Sequence, residues 1–199
     1  MDLNYVNKVI QTQHTLLPHE WEGAVVFLCN EDYVFLIKRS EEMPTHSGQI
    51  GFLGGHKKDN EIHPWEVAQR EFEEETSLNS SSIKLLGFLP VVMTARLRPI
   101  IPVFSELLLS SEEFIKHAKS NGEWDSVIAY PWSELIKEYN WEFAWRHGNS
   151  KTPVLFHPIR SGSFLTSKND QDPHLLWGAT ASMIWDFLRL YFKGQDGSY

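Results

Sequence analysis

Two hydrophobic rhythms alternate along the chain. GAVVFLC (23–29) and YVFLIKR (33–39) are β-branched and aromatic runs separated by Asn30, Glu31 and Asp32, which predicts a hairpin. GQIGFLGG (48–55) reads as a short strand entering a glycine turn, and further strand-like runs lie at 83–93, 97–107 and 126–130. Segments 143–147 and 153–159 pattern as another hairpin, and 161–173 is a polar loop. Elsewhere the apolar positions recur at helical spacing. Leu3, Val6, Val9 and Ile10 predict a helix over 2–17, and Ala181, Ile184, Trp185 and Leu188 predict one over 178–192. His63 to Leu78 forms a third, with Pro64 suited to its first turn, and shorter helices fall near 111–119 and 132–139.

Strands and helices are interleaved, so the expected class is α/β, a mixed sheet sandwiched between helices. The 199 residues contain no repeat and nothing that resembles a linker, which predicts a single domain over 1–199. No apolar stretch approaches the roughly 20 residues that span a bilayer. The start, MDLNYVNKVIQ, lacks the basic-then-apolar order of a signal peptide. Cys29 is the single cysteine, so no internal disulfide forms and a reducing cytoplasm is expected. The net charge of −8 argues against a broad basic face for nucleic acid, and no membrane association is expected. It leaves room for an anionic substrate if divalent cations stand between carboxylates and phosphate.

The acidic stretch of the third helix changes the picture most. At about 100° per residue, Glu71, Glu74 and Glu75 fall within roughly a third of the circumference, while Trp65, Ala68 and Phe72 form the adjoining apolar face. Like charges at these spacings repel, so the arrangement is costly unless something neutralises it. A hard divalent cation such as Mg²⁺ would, through oxygen ligands. Arg70 stands where it could hold a carboxylate through a bidentate bond. Gly54-Gly55 lets the backbone approach a metal or phosphate, with a main-chain carbonyl as a further ligand. A solvated acidic helix face is the plain alternative for the E-x-x-E-E pattern alone.

Gly55, Glu61, Arg70, Glu71, Phe72, Glu74, Glu75 and Leu78 occupy the fixed points of G-x5-E-x7-R-E-U-x-E-E-x-G-U. The segment about 55–78 therefore resembles the box of the Nudix hydrolases. Three departures stand out: eight residues separate Glu61 from Arg70, Ser77 replaces the glycine, and Phe72 fills an aliphatic slot. Upstream, Arg39, Ser40, Met43, His46, Gly48, Ile50, Phe52, Gly54 and Gly55 resemble the added signature of the coenzyme A pyrophosphatase branch, with Pro44 and Leu53 departing from it. HLLWGATASMIWDFL (174–188) is similar to that branch's closing strand and helix.

The resemblance implies an α/β/α-sandwich pyrophosphohydrolase. It implies that Glu71, Glu74, Glu75 and the Gly54 carbonyl bind Mg²⁺ or Mn²⁺ and that Arg70 orients the carboxylates. A further acid is expected from 122–132, with Glu123 and Asp125 as rivals. Arg39, Lys38, His46 and Gly55 are the substrate-binding candidates, with Lys57 and Lys58 as possible screens of phosphate charge. Strand-end charge, loop support and ordinary exposed lysines are the competing readings. Trp141 or Trp145 could stack on a base, or serve the core. The reaction expected is attack of a metal-activated water on one phosphorus of a P–O–P linkage. With coenzyme A or an acyl derivative it yields 4′-phosphopantetheine and adenosine 3′,5′-bisphosphate. ADP-sugars, dinucleotide polyphosphates and (d)NTPs are alternative substrates, and a non-catalytic nucleotide-binding regulator is the alternative of another class. A homodimer is an assembly the resemblance allows.

Overall fold

Strand β1 (Gly23–Cys29) is buried on both faces, as its unbroken apolar run requires. Ala24, Val26 and Leu28 enter one hydrophobic cluster, and Phe27 and Cys29 enter the other. The two clusters are the two faces of one sheet. The protein is described by a computed structural model covering residues 1–12, 20–94, 97–137, 140–145, 153–167 and 173–195.

The sheet is mixed, with the order β11-β8-β2-β1-β7-β5. Here β2 is Tyr33–Arg39, β5 Ile83–Phe88, β7 Pro99–Leu107, β8 Trp124–Pro131 and β11 Leu165–Thr166. The predicted hairpin is present, with Leu28 opposite Phe35. β1 runs parallel to β7, from Gly23 beside Ile100 to Cys29 beside Glu106, whereas β2 and β8 are antiparallel. Three short strands join the sides: β3 (Ile50–Gly51) on β2, β4 (Leu53–His56) on β1 and β6 (Val92–Met93) on β7.

Helices cover both faces, as expected. On one side α2 (Pro64–Thr76) and α3 (Ser111–His117) bury Val67, Ala68, Phe72 and Phe114. On the other, α1 (Leu3–Thr12) and α5 (Gly178–Gln195) contribute Leu3, Val6, Ile10, Ala181, Ile184 and Phe187. α4 (Trp132–Leu135) is shorter than the 132–139 expected, and 138–139 lie outside the described residues. Residues 13–17 of the predicted first helix and 146–147 of the second hairpin also lie outside them.

Three features depart from the expectation. The 83–93 run breaks in two: Pro90 cannot donate to a ladder, and β6 resumes beyond it. Within the expected polar loop 161–173, β11 pairs at the sheet edge, Leu165 opposite Ala129. The second hairpin, β9 (Glu142–Trp145) with β10 (Pro153–Ile159), is joined by β12 (His174–Trp177) into a separate three-stranded sheet. Leu155, Ile159 and Leu176 tie that sheet into the α5 face of the core. Among the described residues no helix is long and apolar enough to cross a membrane.

Candidate active site

Helix α2 starts firmly. The His63 side chain accepts from the Trp65 amide, and the Glu66 carboxylate takes the Ile62 and His63 amides, a capping box ahead of Pro64. The helix ends at Ser77, whose φ of 59° is left-handed. The motif's glycine belongs at that position for this reason. Between these ends, Val67, Ala68 and Phe72 anchor the helix on the sheet and fix the rotation of its glutamates.

That rotation sorts the three glutamates into two environments. Glu75 is 1% exposed and Glu71 9%, whereas the Glu74 side chain is 47% exposed. The even border of three carboxylates drawn from the helical wheel is therefore uneven. Arg70 organises it. Its guanidinium donates to Glu61 twice, Nε to Oε1 at 2.6 Å and Nη2 to Oε2 at 3.2 Å. Its Nη1 donates to Glu71 Oε1 at 2.6 Å and Glu74 Oε2 at 3.0 Å, and its Nη2 to the His56 carbonyl at 2.9 Å. Lys58 also holds Glu74, at 2.9 Å. Among the described residues no three Asp, Glu, His or Cys side chains converge on one point, since these two cations draw Glu71 and Glu74 aside.

Glu61 is the residue that sequence reasoning undervalued. The eight-residue spacing to Arg70 loops outward, with Ile62 82% exposed, and Glu61 turns inward beneath Arg70. The Arg70 bonds hold its carboxyl below the usual range, and Arg70 is itself raised by the same partners.

Gly55 is crowded by a glutamate and Gly54 by the backbone of β1. A Cβ on Gly55 would overlap Glu71 Oε1 and come within 2.6 Å of its Cδ. Gly54, at φ 146°, turns its amide to Glu75 Oε2 at 3.2 Å, and a Cβ there would meet Val25 Cα at 2.6 Å. The amide of Gly54, rather than its carbonyl, thus faces Glu75.

Strand β8 closes the site from the opposite side. Trp124 Nε1 donates to the Glu75 carbonyl at 2.8 Å, pinning the last turn of α2. Its neighbour Glu123 accepts the Ser40 amide through its carbonyl at 2.9 Å, where β8 bulges at Asp125 opposite Lys38 and Arg39. The Glu123 charge bears on both Glu71 and Glu75. Burial raises Glu71 against the pull of Arg70. Burial, then the charges of Glu71 and Glu123, push Glu75 up to about 8. Arg39 works in the opposite direction on Glu75, and its own buried Nε has no hydrogen-bond partner.

The remaining candidates sit farther out. Lys38 pairs in register with Ser126 and Ile50, one row from the bulge. His46, exposed at φ 59°, has its Nδ1 3.1 Å from Gln49 Oε1 and supports the turn before Gly48. Lys57 lies 4.5 Å over the Trp21 ring. Trp141 is core: it is buried, donates to the Leu135 carbonyl at 2.7 Å and packs on His157. The Trp145 side chain lies outside the described residues. Cys29 is buried, and its thiol is pushed far up by that burial.

The model of the NUDIX domain matches residues 20–146, which span the glutamate site from β1 to β9 and leave out α1, β10, β11, β12 and α5. This chain belongs to the Nudix family. It is 29% identical over 154 residues to Nudix hydrolase 22, chloroplastic, of Arabidopsis thaliana, covering 76% of this chain and 47% of that one. It is 27% identical to Nudix hydrolase 15, mitochondrial, of the same plant, covering 76% and 50%. The chain thus spans about half the length of these two relatives. NudL of Escherichia fergusonii, a Nudix hydrolase, is 34% identical, covering 76% of this chain and 71% of that one. Among solved structures, a MutT/nudix family protein from Enterococcus faecalis aligns over 94% of this chain and 71% of its own, at 14% identity and a TM-score of 0.45.

Proposed function

We propose that this Nudix protein hydrolyses the pyrophosphate bond of a nucleoside diphosphate derivative, with coenzyme A or an acyl-coenzyme A as its substrate. The observation that carries the chemistry is Glu75. Its Oε1 is buried without a hydrogen-bond partner, and the charges of Glu71 and Glu123 press on it. A hard divalent cation is the group that satisfies such an oxygen, so the donor set fits Mg²⁺ or Mn²⁺. Glu71, Glu74 and Glu75 would hold it, with the Gly54 carbonyl and Glu123 as further oxygen donors. When bound, the cation offsets phosphate charge and lowers the pKa of a bound water.

The chain's own residues do the rest. Arg70 fixes Glu71 by Oε1 and is itself fixed by Glu61 and the His56 carbonyl, so the carboxylates keep their positions as phosphate charge arrives. Gly55 leaves room for the Glu71 carboxylate against β4, and Gly54 lets β4 lie close on β1. Water adds to one phosphorus, the bridging P–O bond breaks, and the proton of the water leaves to a carboxylate or to solvent. Arg39, beside Glu75 at the bulge, stands where a further phosphate of the substrate would meet it. That position, with the 35–55 signature, supports coenzyme A. The nucleotide is the proposed partner, in a reducing cytoplasm where Cys29 stays a thiol.

A hydrolysis screen with Mg²⁺ or Mn²⁺ against coenzyme A, ADP-ribose, diadenosine polyphosphates and dNTPs tests the reading. Coenzyme A should lead. Turnover of ADP-ribose far above it would overturn the substrate, and full activity in Glu75→Gln would overturn the chemistry.

A further inference from the structure

The end of a helix leaves carbonyls without partners in the helix itself. In α2 two of these, on Glu75 and Thr76, are taken by the segment that leads into β8. Trp124 Nε1 donates to the Glu75 carbonyl at 2.8 Å, and the Lys119 amide donates to the Thr76 carbonyl at 2.8 Å. The turn that carries Glu74 and Glu75 is therefore held by a distant part of the chain.

Glu75 is gripped at both of its ends. Its Oε2 accepts the Gly54 amide at 3.2 Å from β4, and its carbonyl accepts the indole from β8. These two contacts place Oε1, the buried oxygen without a partner. Trp124 is itself buried, in the cluster that holds Val67, Ala68 and Phe72, so its ring also braces the face that sets the rotation of α2. The same residue places its neighbour Glu123. The Glu123 amide donates to Asn121 Oδ1 at 3.0 Å, and its Oε1 accepts from Asn121 Nδ2 at 3.2 Å. The acid is thus tied to a turn whose position is fixed where Trp124 docks.

The chain supplies its own comparison. Trp132 Nε1 donates to the Asn30 carbonyl at 2.9 Å and Trp141 Nε1 to the Leu135 carbonyl at 2.7 Å. Both indoles are buried, and both bonds are local to the opposite face of the sheet. Of these three matched bonds, the one from Trp124 ends on the glutamate helix. We propose that Trp124 is a positioning residue for the cation site: its indole N–H fixes Glu75 through the main chain and brings Glu123 to the same place. The inference rests on the metal-dependent hydrolase reading and adds to it a residue outside the box. Trp124 acts through Glu75 and Glu123, as outer partners of metal ligands do, and loss of such a partner costs roughly 10–100-fold in metal affinity or activity.

Binding of Mn²⁺ to the full chain, followed by electron paramagnetic resonance, is the test. Trp124→Phe and Trp132→Phe each keep an aromatic ring and remove one indole donor from one carbonyl. Both should lower Tm to a similar degree, by roughly 3–8 °C. Mn²⁺ affinity should weaken about tenfold in Trp124→Phe and stay at the wild-type value in Trp132→Phe. At saturating Mn²⁺, Trp124→Phe should lower kcat and leave KM within about twofold, whereas a loss of stability alone would move neither. Unchanged Mn²⁺ affinity in Trp124→Phe, or an equal loss in Trp132→Phe, overturns the positioning role. Glu75→Gln separates the two levels. If it abolishes Mn²⁺ binding while Trp124→Phe binds normally, the inference falls alone. If it binds Mn²⁺ as wild type does, or if the wild type binds none, the cation site falls and the inference with it.

Discussion

Arg70 grips Glu61 through two nitrogens and two oxygens, and the pair sits beneath the loop that carries the extra residue of the box. The loop absorbs the insertion so that this contact survives. Replacing Glu61 with alanine strips Arg70 of its main partner and should cost about 2 kcal/mol, the scale of hydrogen bonds to charged groups. Urea unfolding measures that loss. Activity should fall further than stability, because Arg70 is then free to swing Glu71, and kcat rather than KM should carry the effect.

Gly55→Ala tests the close approach of backbone and carboxylate. The added methyl must displace Glu71, and a misplacement of this size costs on the order of 100-fold in rate. The far-UV spectrum should stay native. Unchanged kcat would show that Glu71 can move without consequence.

Ser77→Gly should stabilise the protein. The left-handed conformation at Ser77 costs roughly 1 kcal/mol that glycine does not incur. A rise of about 2–4 °C in Tm is expected for a chain of this size.

The carboxyl of Glu75 sets a pH dependence in the metal-free protein. Its folded pKa, pushed up to about 8, exceeds the unfolded value of 4.5, so the folded state binds the extra proton between them. Stability from this group is complete below the unfolded pKa and is lost as pH rises toward 8, by up to about 1.4 kcal/mol per pH unit. Glu61 and Glu74 have the opposite sign. Their lowered pKa values add stability above about 4.5, lost as pH falls. In EDTA, Tm should therefore decline from pH 5 to 8, and Glu75→Gln should flatten that decline. Saturating Mg²⁺ should reverse it, because the cation favours the ionised carboxylate. A flat wild-type profile in EDTA would contradict the buried environment of Glu75.

Much of this was legible in the sequence. β1 and β2 announce themselves because a run buried on both faces has no polar residue to blur it. The Arg70–Glu75 cluster is legible because helical geometry alone fixes which side chains share a face. The inequality among the glutamates was not legible. It depends on how deeply Phe72 and Val67 sink against β1 and β7, which no local pattern encodes. Trp124 was missed for a related reason: its bond to Glu75 spans 49 positions, and its place beside Arg39 is reached only across the bulge in β8. Glu61 was legible as a motif position, but its grip on Arg70 was not, because the eight-residue spacing hides that the loop turns it back beneath the helix. The closing strand at 174–177 was legible by resemblance, but its pairing with β10 across the polar loop 161–173 was not, because no local pattern encodes that partner.

The parallel pairing of β1 with β7 also orders events on the ribosome. Gly23 waits for Ile100, and α2 with its glutamates lies within the loop that this pairing closes. Glu123 and Trp124 emerge later still. A nascent chain long enough to hold the whole box therefore lacks the strand that pins Glu75, and the glutamate cluster meets Glu123 and Trp124 only when β8 emerges.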